Sequence, residues 1–428
     1  MPSPDYFLAR IEHPAPALRL NALSALLTEF KSGRYPLPQP GIFVNNHIHT
    51  FYSFSPYSPT AAAFMAWYNG LTTAGIVDHD SLAGAEEFAE ACRLLGIAST
   101  IGFECRCRMD DTPFAGRRIN NPDQNTVAYL VCHGVPRQSI AAAQGWLAPY
   151  REARNVRNRA MLANINRLLD GSDLSLDFER DVLPLSHHAE GGGVTERHLL
   201  YALALSIEKA FGKGQLSVDF LASQLNLHPE GAVLESLLNS QNPGWTYSLL
   251  GALKGGFVSQ FYIDAHDECP PIADFIAFTL SLGAVPAYAY LGDVGQSVTG
   301  DKKAQTFEDA FLDNLVPWLA QSGCLALTYM PTRNTPQQLE RIMALCAANG
   351  LFQISGEDIN SPAQSFICPA LEKAEFAHLV TATWALIGHE KAAASDISAG
   401  MFSSDTLAKM PSLPQRIEHF AALGRQTL

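Results

Sequence analysis

From residue 41 onward, short apolar runs alternate with longer amphipathic stretches, a pattern that predicts strands followed by helices. Repeated strand–helix units with apolar strands indicate a parallel sheet or barrel covered by helices. The predicted strands cover 42–48, 73–77, 97–103, 126–132, 285–290, 325–329 and 351–355. The predicted helices of this region cover 59–68, 83–95, 272–282, 306–321 and 336–348.

The alternation stops at about residue 145 and resumes at about residue 265. Insertions of this kind often cover the active site of an α/β fold, because loops at the carboxyl ends of strands carry function. The inserted helices are predicted at 151–169, 195–211, 217–225 and 232–238. The sequence thus divides into an N-terminal helical extension (1–40), a β/α barrel (41–144 and 266–365), a helical insertion (145–265) and a C-terminal helical extension (366–428).

The composition is that of a globular protein with a large core. Of 428 residues, 47% are hydrophobic and 17% are charged, which argues against a disordered or fibrous chain. The formal net charge of −13 argues against a DNA-binding protein or a polybasic membrane binder. A small anionic substrate in a local basic pocket stays compatible with that charge.

A cytoplasmic location is expected from three features. Residues 1–10 lack the basic and apolar regions of a signal peptide. The longest uncharged run, 275–292, is nearly long enough for a membrane span, but Gly283 and Pro286 favour a buried helix followed by a buried strand. The eight cysteines are scattered without a Cys-x-x-Cys pair and are expected to be reduced.

Ionisable side chains stand at the ends of five predicted strands. Because strand ends meet at one edge of a barrel, we expect these side chains to converge. Imidazoles mixed with carboxylates suit Zn, Mn or Fe better than Mg or Ca. A surface histidine pair is the alternative interpretation of the first strand end. The residues are His47 and His49, Asp78 to Asp80, Glu104, His133, and Glu357 with Asp358.

Short motifs around these residues occur in a specific order. They are His47-x-His49-Thr50-x-x-Ser53, Val77-Asp78-His79-Asp80-Ser81, Gly102-x-Glu104, a strand ending in His133, and Gly356-x-Asp358. Over roughly 41–365 this set resembles the PHP (polymerase and histidinol phosphatase) superfamily. The Arg/Asn-rich helix at 154–159 and the glycine run at 191–198 resemble the insertion of its nucleotide-phosphatase branch. The resemblance implies a distorted, TIM-like (β/α)7 barrel, a cluster of two or three metals and phosphoester hydrolysis.

The resemblance also implies roles for individual residues. Four residues match the ligands of a first metal, and Glu104 would bridge to a second whose matching partner is His133. His79 matches a ligand of a third metal. The first-metal residues are His47, His49, Glu104 and Asp358.

This chain departs from the family pattern at three positions. Tyr290 stands where the family has a histidine that binds the second metal, and Asn360 replaces a histidine that binds the third. Phe54 stands where an acidic residue often follows the serine of the first motif. Tyr290 and Asn360 are candidate substituted ligands, through a tyrosinate or an amide oxygen. We therefore expect one to three divalent ions, Zn, Mn or Fe, with one or two ahead of three.

Phosphoester hydrolysis predicts further roles. A metal-activated water held near Glu104 would attack phosphorus, and Asp80 or His79 would protonate the leaving oxygen. Asp80 could equally cap the helix from residue 83. Candidate substrate-binding residues are Arg157, Arg197, His198 and Arg333, each arginine having a solvated surface position as its alternative.

Three functions remain open from the sequence. The first is a metal-dependent phosphoesterase acting on a small phosphorylated metabolite or nucleotide. The second is a non-catalytic or regulatory protein that binds metal or phosphate with a degenerate metal cluster. The third is a metal-dependent hydrolase of another bond, such as an amidohydrolase.

Two segments have alternative interpretations. Residues 264–268 are either replacement ligands or, as we favour, a polar turn. The C-terminal extension either packs on the barrel or forms a contact between copies in a homo-oligomer.

Overall fold

The computed structural model describes residues 2–294, 305–362 and 364–426. Seven strands form one sheet in chain order, and the segment after the last strand returns to the first. The His49 N–H donates to Ile359 O at 3.0 Å, and the Ile359 N–H donates to His47 O at 3.1 Å. This nearly closed sheet confirms the predicted α/β barrel. The strands are β1 (Val44–Ile48), β2 (Thr73–His79), β3 (Ala98–Arg108), β4 (Val127–His133), β5 (Val285–Ala289), β6 (Ala326–Tyr329) and β7 (Phe352–Ser355).

Helices surround the barrel and extend it at both termini. Within the described residues no helix is long and apolar enough to cross a membrane. The uncharged run 275–292 forms most of one helix and then β5. The helices are α1 (Pro4–Ile11), α2 (Pro16–Lys31), α3 (Pro59–Tyr68), α4 (Ala85–Leu95), α5 (Ile140–Leu168), α6 (Glu196–Phe211), α7 (Gln215–Leu225), α8 (Gly231–Leu238), α9 (Trp245–Gly256), α10 (Val258–Phe261), α11 (Ile272–Ser281), α12 (Leu312–Gln321), α13 (Pro336–Asn349), α14 (Ala377–Ser395), α15 (Ser404–Lys409) and α16 (Leu413–Arg425).

The sheet is mixed, because β4 runs antiparallel to both β3 and β5. The prediction that all five strand ends meet at one edge is therefore wrong for β4, whose carboxyl end points the other way. His133 pairs with Gly102 of β3, two residues before Glu104. Directly paired residues project to the same face of a sheet, as do residues two apart on a strand. His133 and Glu104 thus share the inner face, with His133 deeper in the barrel.

A single long helix connects the barrel to the helical block that follows it. The first half of α5 contributes Ala143 and Leu147 to the barrel core, and the second half contributes Met161 and Ile165 to a separate core within the block. The sequence pattern predicts that this helix begins at residue 151. The helix instead continues through Pro149 from Ile140. One continuous helix therefore fixes the orientation of the helical block relative to the barrel.

The C-terminal helix α14 packs against the barrel. Its Leu386 and Trp384 belong to a buried cluster with Val285 of β5 and Phe352 of β7. Asn46 of β1 extends its amide to α14, donating to Thr383 Oγ1 at 2.8 Å. These contacts make α14 part of the barrel's support.

The barrel closure predicts a sensitive glycine. A methyl group at Gly356, directly after β7, would lie 2.6 Å from both the backbone nitrogen and Cβ of His47. Because overpacking of this kind costs about 1–3 kcal/mol, Gly356→Ala should lower the free energy of unfolding by that amount in urea titrations. Gly145→Ala in α5 is the matched control, since its methyl group meets no atom within 4 Å. Equal effects of the two substitutions would contradict a tight closure at Gly356.

Candidate metal centre

Three side chains at the carboxyl edge of the barrel form a compact donor group. His47 and His49 lie two residues apart at the end of β1, and Glu104 projects from β3. One donor atom from each residue lies within 4.8 Å of the other two, and all three side chains are buried. Among the residues that the structure describes, this is the one group of three or more His, Cys, Asp or Glu residues close enough to share an ion.

Asp358 completes this group from the opposite side of the barrel seam. The closure at Ile359 brings its carboxylate beside β1, where Oδ1 lies 3.3 Å from His49 Nε2. The Glu104 Oε1 atom lies 3.8 Å from His47 Nε2. Asp358 therefore adds a second carboxylate at the His49 side of the three-residue group.

A hydrogen-bond chain fixes the orientation and tautomer of His49. The Ser53 hydroxyl donates its only proton to Asp78 Oδ1 at 2.6 Å, because an ionised carboxylate can only accept. Ser53 Oγ must therefore accept from His49 Nδ1, 3.2 Å away. Thr50 anchors the same Asp78 carboxylate through its N–H and its hydroxyl, both at 2.6 Å. His49 Nε2 is then the nitrogen that faces Asp358.

The electrostatics of the group couple His49 to Asp358 as a charge pair. Burial alone lowers the pKa of His49, but the Asp358 carboxylate outweighs burial and raises it. Burial also opposes ionisation of Asp358, yet the neighbouring His49 and His47 hold its pKa well below the usual range. With Nδ1–H given to Ser53, His49 Nε2 and Asp358 Oδ1 face each other as two acceptors unless a proton or a metal ion lies between them.

His79 supports the group from β2. Its Nδ1 lies 3.0 Å from Glu104 Oε2, and its ring centroid lies 4.6 Å from that of His49. Burial raises the pKa of Glu104, but the charges of the neighbouring His79 and His47 imidazoles outweigh burial and lower it. Glu104 is therefore presented to the cavity as a carboxylate.

Both predicted roles of Asp80 are wrong. The Asp80 carboxylate accepts from the buried Arg154 guanidinium and does not line the cavity, so it is not placed to protonate a leaving group. It does not cap α4 either, because that helix begins at Ala85 after Gly84. The ion pair with α5 occupies the side chain instead.

The two substituted positions serve as hydrogen-bond donors. The Tyr290 hydroxyl donates to Asp309 Oδ1 at 2.6 Å, and burial together with that carboxylate raises the tyrosine pKa. In this arrangement Tyr290 is a neutral phenol that donates a hydrogen bond to Asp309. Asn360 donates its amide to Asp358 Oδ1 at 2.5 Å, which orients the aspartate.

His133 lies below the donor group. Burial and the nearby His47 lower its pKa to about 3, so the imidazole is neutral. Its Nε2 is buried without a hydrogen-bond partner in the described part of the chain. Its reversed strand keeps it outside the compact group of His47, His49 and Glu104.

Of the four predicted substrate-binding residues, Arg197 lines the cavity in front of the metal centre. The other three point elsewhere, because each is engaged by a local partner. Arg157 donates to Ile263 O at 2.6 Å, His198 Nδ1 accepts from Thr195 N–H at 2.9 Å, and Arg333 donates to Leu291 O at 3.0 Å.

A buried network of arginines and carboxylates lies beside the centre, and the sequence pattern did not predict it. Arg106 lies two residues after Glu104 on β3, which continues to Arg108 instead of ending at residue 103. Its guanidinium donates to Glu196 at 2.9 Å and to Glu268 at 2.8 Å. Arg157 and Arg154 from α5 join the same two carboxylates and Asp80. The period-two spacing from Glu104 was the signal that could have revealed Arg106.

The segment 264–268 supplies one member of this network. Glu268 is 2% exposed and lies 2.7 Å from Arg157 Nε. His266 and Asp267 pair with each other at the surface. The predicted polar turn therefore describes most of the segment, while Glu268 reaches inward to the arginines and not to the metal centre.

A cavity of about 180 Å³ opens in front of the donor group. Its walls combine cationic, acidic and apolar side chains from the barrel and from α6, α9 and α10. The lining residues include His47, His79, Glu104, Asp358, Arg106, Arg197, Lys254, Leu200, Val258, Tyr290 and Asn360.

Comparison with known proteins finds similarity in fold. No protein-family model matches the chain, and no curated protein matches it. The crystal structure of a provisionally assigned metal-dependent phosphoesterase from Bifidobacterium adolescentis superposes with a TM-score of 0.50 at 19% identity, over 80% of this chain and 96% of that one. An amidohydrolase from Chromobacterium violaceum, with bound sulfate and no metal, has a TM-score of 0.48 at 16% identity, over 76% and 89%. The first likeness shows a shared fold.

The buried network predicts a large cost for losing its central acid. Glu268→Ala leaves three buried guanidinium groups with Glu196 and Asp80, and breaking a buried ion pair costs about 3–5 kcal/mol. We expect that loss in denaturant unfolding. The control is Glu179→Ala, whose partner Arg159 is largely exposed, and it should change stability little. A Glu268 variant as stable as the control would show that the network contributes no net stability.

Proposed function

We propose that this chain is a metal-dependent phosphoesterase that hydrolyses a small phosphorylated metabolite or nucleotide. The observation that carries the proposal is the opposition of His49 Nε2 and Asp358 Oδ1 at 3.3 Å, beside His47 and Glu104. Two acceptors that face each other favour a proton or a metal ion between them. The fold shared with a protein provisionally named a metal-dependent phosphoesterase supports the same assignment.

The donor set fits a divalent transition metal. Neutral imidazole and carboxylate ligands suit Zn, Mn or Fe, and catalytic zinc sites use three protein ligands with one open position. His47, His49, Glu104 and Asp358 would hold the ion at the cavity wall. When bound, a divalent ion supplies Lewis-acid activation of water and of the phosphoryl group.

The chain's own residues provide the rest of the site. Arg197 and Lys254 bring positive charge to the cavity wall, which suits a phosphate dianion in an otherwise acidic chain. Leu200 and Val258 form an apolar wall that excludes water and contacts the remainder of the substrate. His79, about a quarter exposed, is our candidate proton donor to the leaving oxygen.

We expect Glu104→Gln to reduce metal-dependent phosphoesterase turnover by about 100-fold or more, because it removes a charged donor at the centre. Turnover is measured with p-nitrophenyl phosphate and nucleoside monophosphates in Mn2+ and in Zn2+. The matched control is Glu357→Gln, whose carboxylate accepts from Thr332 and does not line the cavity. Circular dichroism and unfolding curves should match the parent protein for both variants.

Different results identify the competing functions. A metal-loaded parent protein that hydrolyses no phosphoester would reject the proposal in favour of a binding protein. Turnover of amides without turnover of phosphoesters would favour an amidohydrolase. Full activity in Glu104→Gln would place catalysis elsewhere in the molecule.

The hydrogen-bond chain behind His49 gives a separate prediction. Ser53→Ala removes the acceptor that fixes the His49 tautomer, and loss of such an outer partner weakens metal binding about 10- to 100-fold. Calorimetric titration with Mn2+ measures this change. Ser55→Ala is the control, because that buried hydroxyl has no hydrogen-bond partner in the part of the chain that the structure describes. Equal affinities in the two variants would contradict the role of Ser53.

A further inference from the structure

We infer that the centre holds a single divalent ion, and that Tyr290 and Asn360 are positioning residues that close the places where further ions would bind. The inference rests on the proposed function and specifies its cofactor. It differs from the two or three metals that the resemblance implies. It depends on how each polar atom around the donor group is already engaged.

The Tyr290 hydroxyl is held by Asp309, whose carboxylate is itself fixed by other hydrogen bonds. Its hydroxyl donates to Asp309 Oδ1 at 2.6 Å. The second oxygen of Asp309 accepts from the Asp293 N–H at 3.0 Å and from Gln338 Nε2 at 2.6 Å. Asp309 is thus fixed by three donors, and moving the phenol onto an ion would leave it short of one. A neutral phenol that keeps its proton is a poor ligand for these metals.

Asn360 binds the oxygen of Asp358 that also faces His49, and His79 binds one oxygen of Glu104. Asn360 donates to Asp358 Oδ1 at 2.5 Å, and His79 Nδ1 lies 3.0 Å from Glu104 Oε2. Glu104 therefore directs Oε1 toward His47 and gives its other oxygen to His79. With Oε2 bound to His79, Glu104 has Oε1 left for one ion and does not bridge two.

His133 cannot complete a second site. It lies two register positions below Glu104 and shares the inner face with it. Glu104 and His133 would supply two protein ligands, with Tyr290 committed to Asp309, whereas catalytic zinc sites use at least three. The first position, by contrast, has three donors in one compact group, His47, His49 and Glu104, with Asp358 beside His49.

The test counts ions directly in the full chain. Protein freed of metal with a chelator is dialysed against excess Mn2+, and bound manganese is measured by plasma mass spectrometry and by electron paramagnetic resonance. We expect one ion per chain and the six-line signal of an isolated Mn2+. Tyr290→Phe should keep one ion with unchanged affinity, as should His133→Gln. His49→Ala should lose it.

Other outcomes overturn the inference. Two or more ions per chain, or the multiline signal of spin-coupled manganese, would contradict it while leaving the phosphoesterase proposal intact if turnover is present. Loss of an ion in Tyr290→Phe or His133→Gln would show that these residues are ligands. Absence of any bound ion would overturn both this inference and the proposed function.

Discussion

Two hydrogen-bond acceptors that face each other impose the main constraint on this molecule. His49 Nε2 and Asp358 Oδ1 lie 3.3 Å apart, and the proton of the imidazole is directed away from them to Ser53. Such a pair is unfavourable unless a proton or a metal ion lies between the two atoms, because neither acceptor can satisfy the other. The arrangement therefore fits a cation site that His49 and Asp358 share with His47 and Glu104.

The barrel architecture creates this constraint. Paired hydrogen bonds between Ile359 and the end of β1 close the seam and bring Asp358 beside His49. The register of β2 and β3 sets His79 directly opposite Glu104. Arg106 lies two residues after Glu104 on β3 and connects the barrel to Glu196 of the helical block. Positioning of the ligands and attachment of the cavity wall thus depend on the same strand.

The sequence was informative where periodicity and chemistry coincide. His47 and His49 two apart on a strand, and Glu104 after an apolar run, predicted a shared site because the carboxyl ends of parallel strands meet. The reversal of β4 was not visible, since an apolar strand reads the same in either direction, and His133 was therefore placed wrongly. The positions of Arg157 and Glu268 were predicted wrongly, because mutual burial of charges depends on tertiary packing that local pattern does not encode.

The most direct test is the position of a bound ion. Crystals grown with Mn2+ and measured at the manganese absorption edge would give an anomalous difference map. This account predicts one strong peak between His49 Nε2 and Asp358, within coordination distance of His47 and Glu104. A map without a peak there, or with its strongest peak near Tyr290 or His133, would contradict the account.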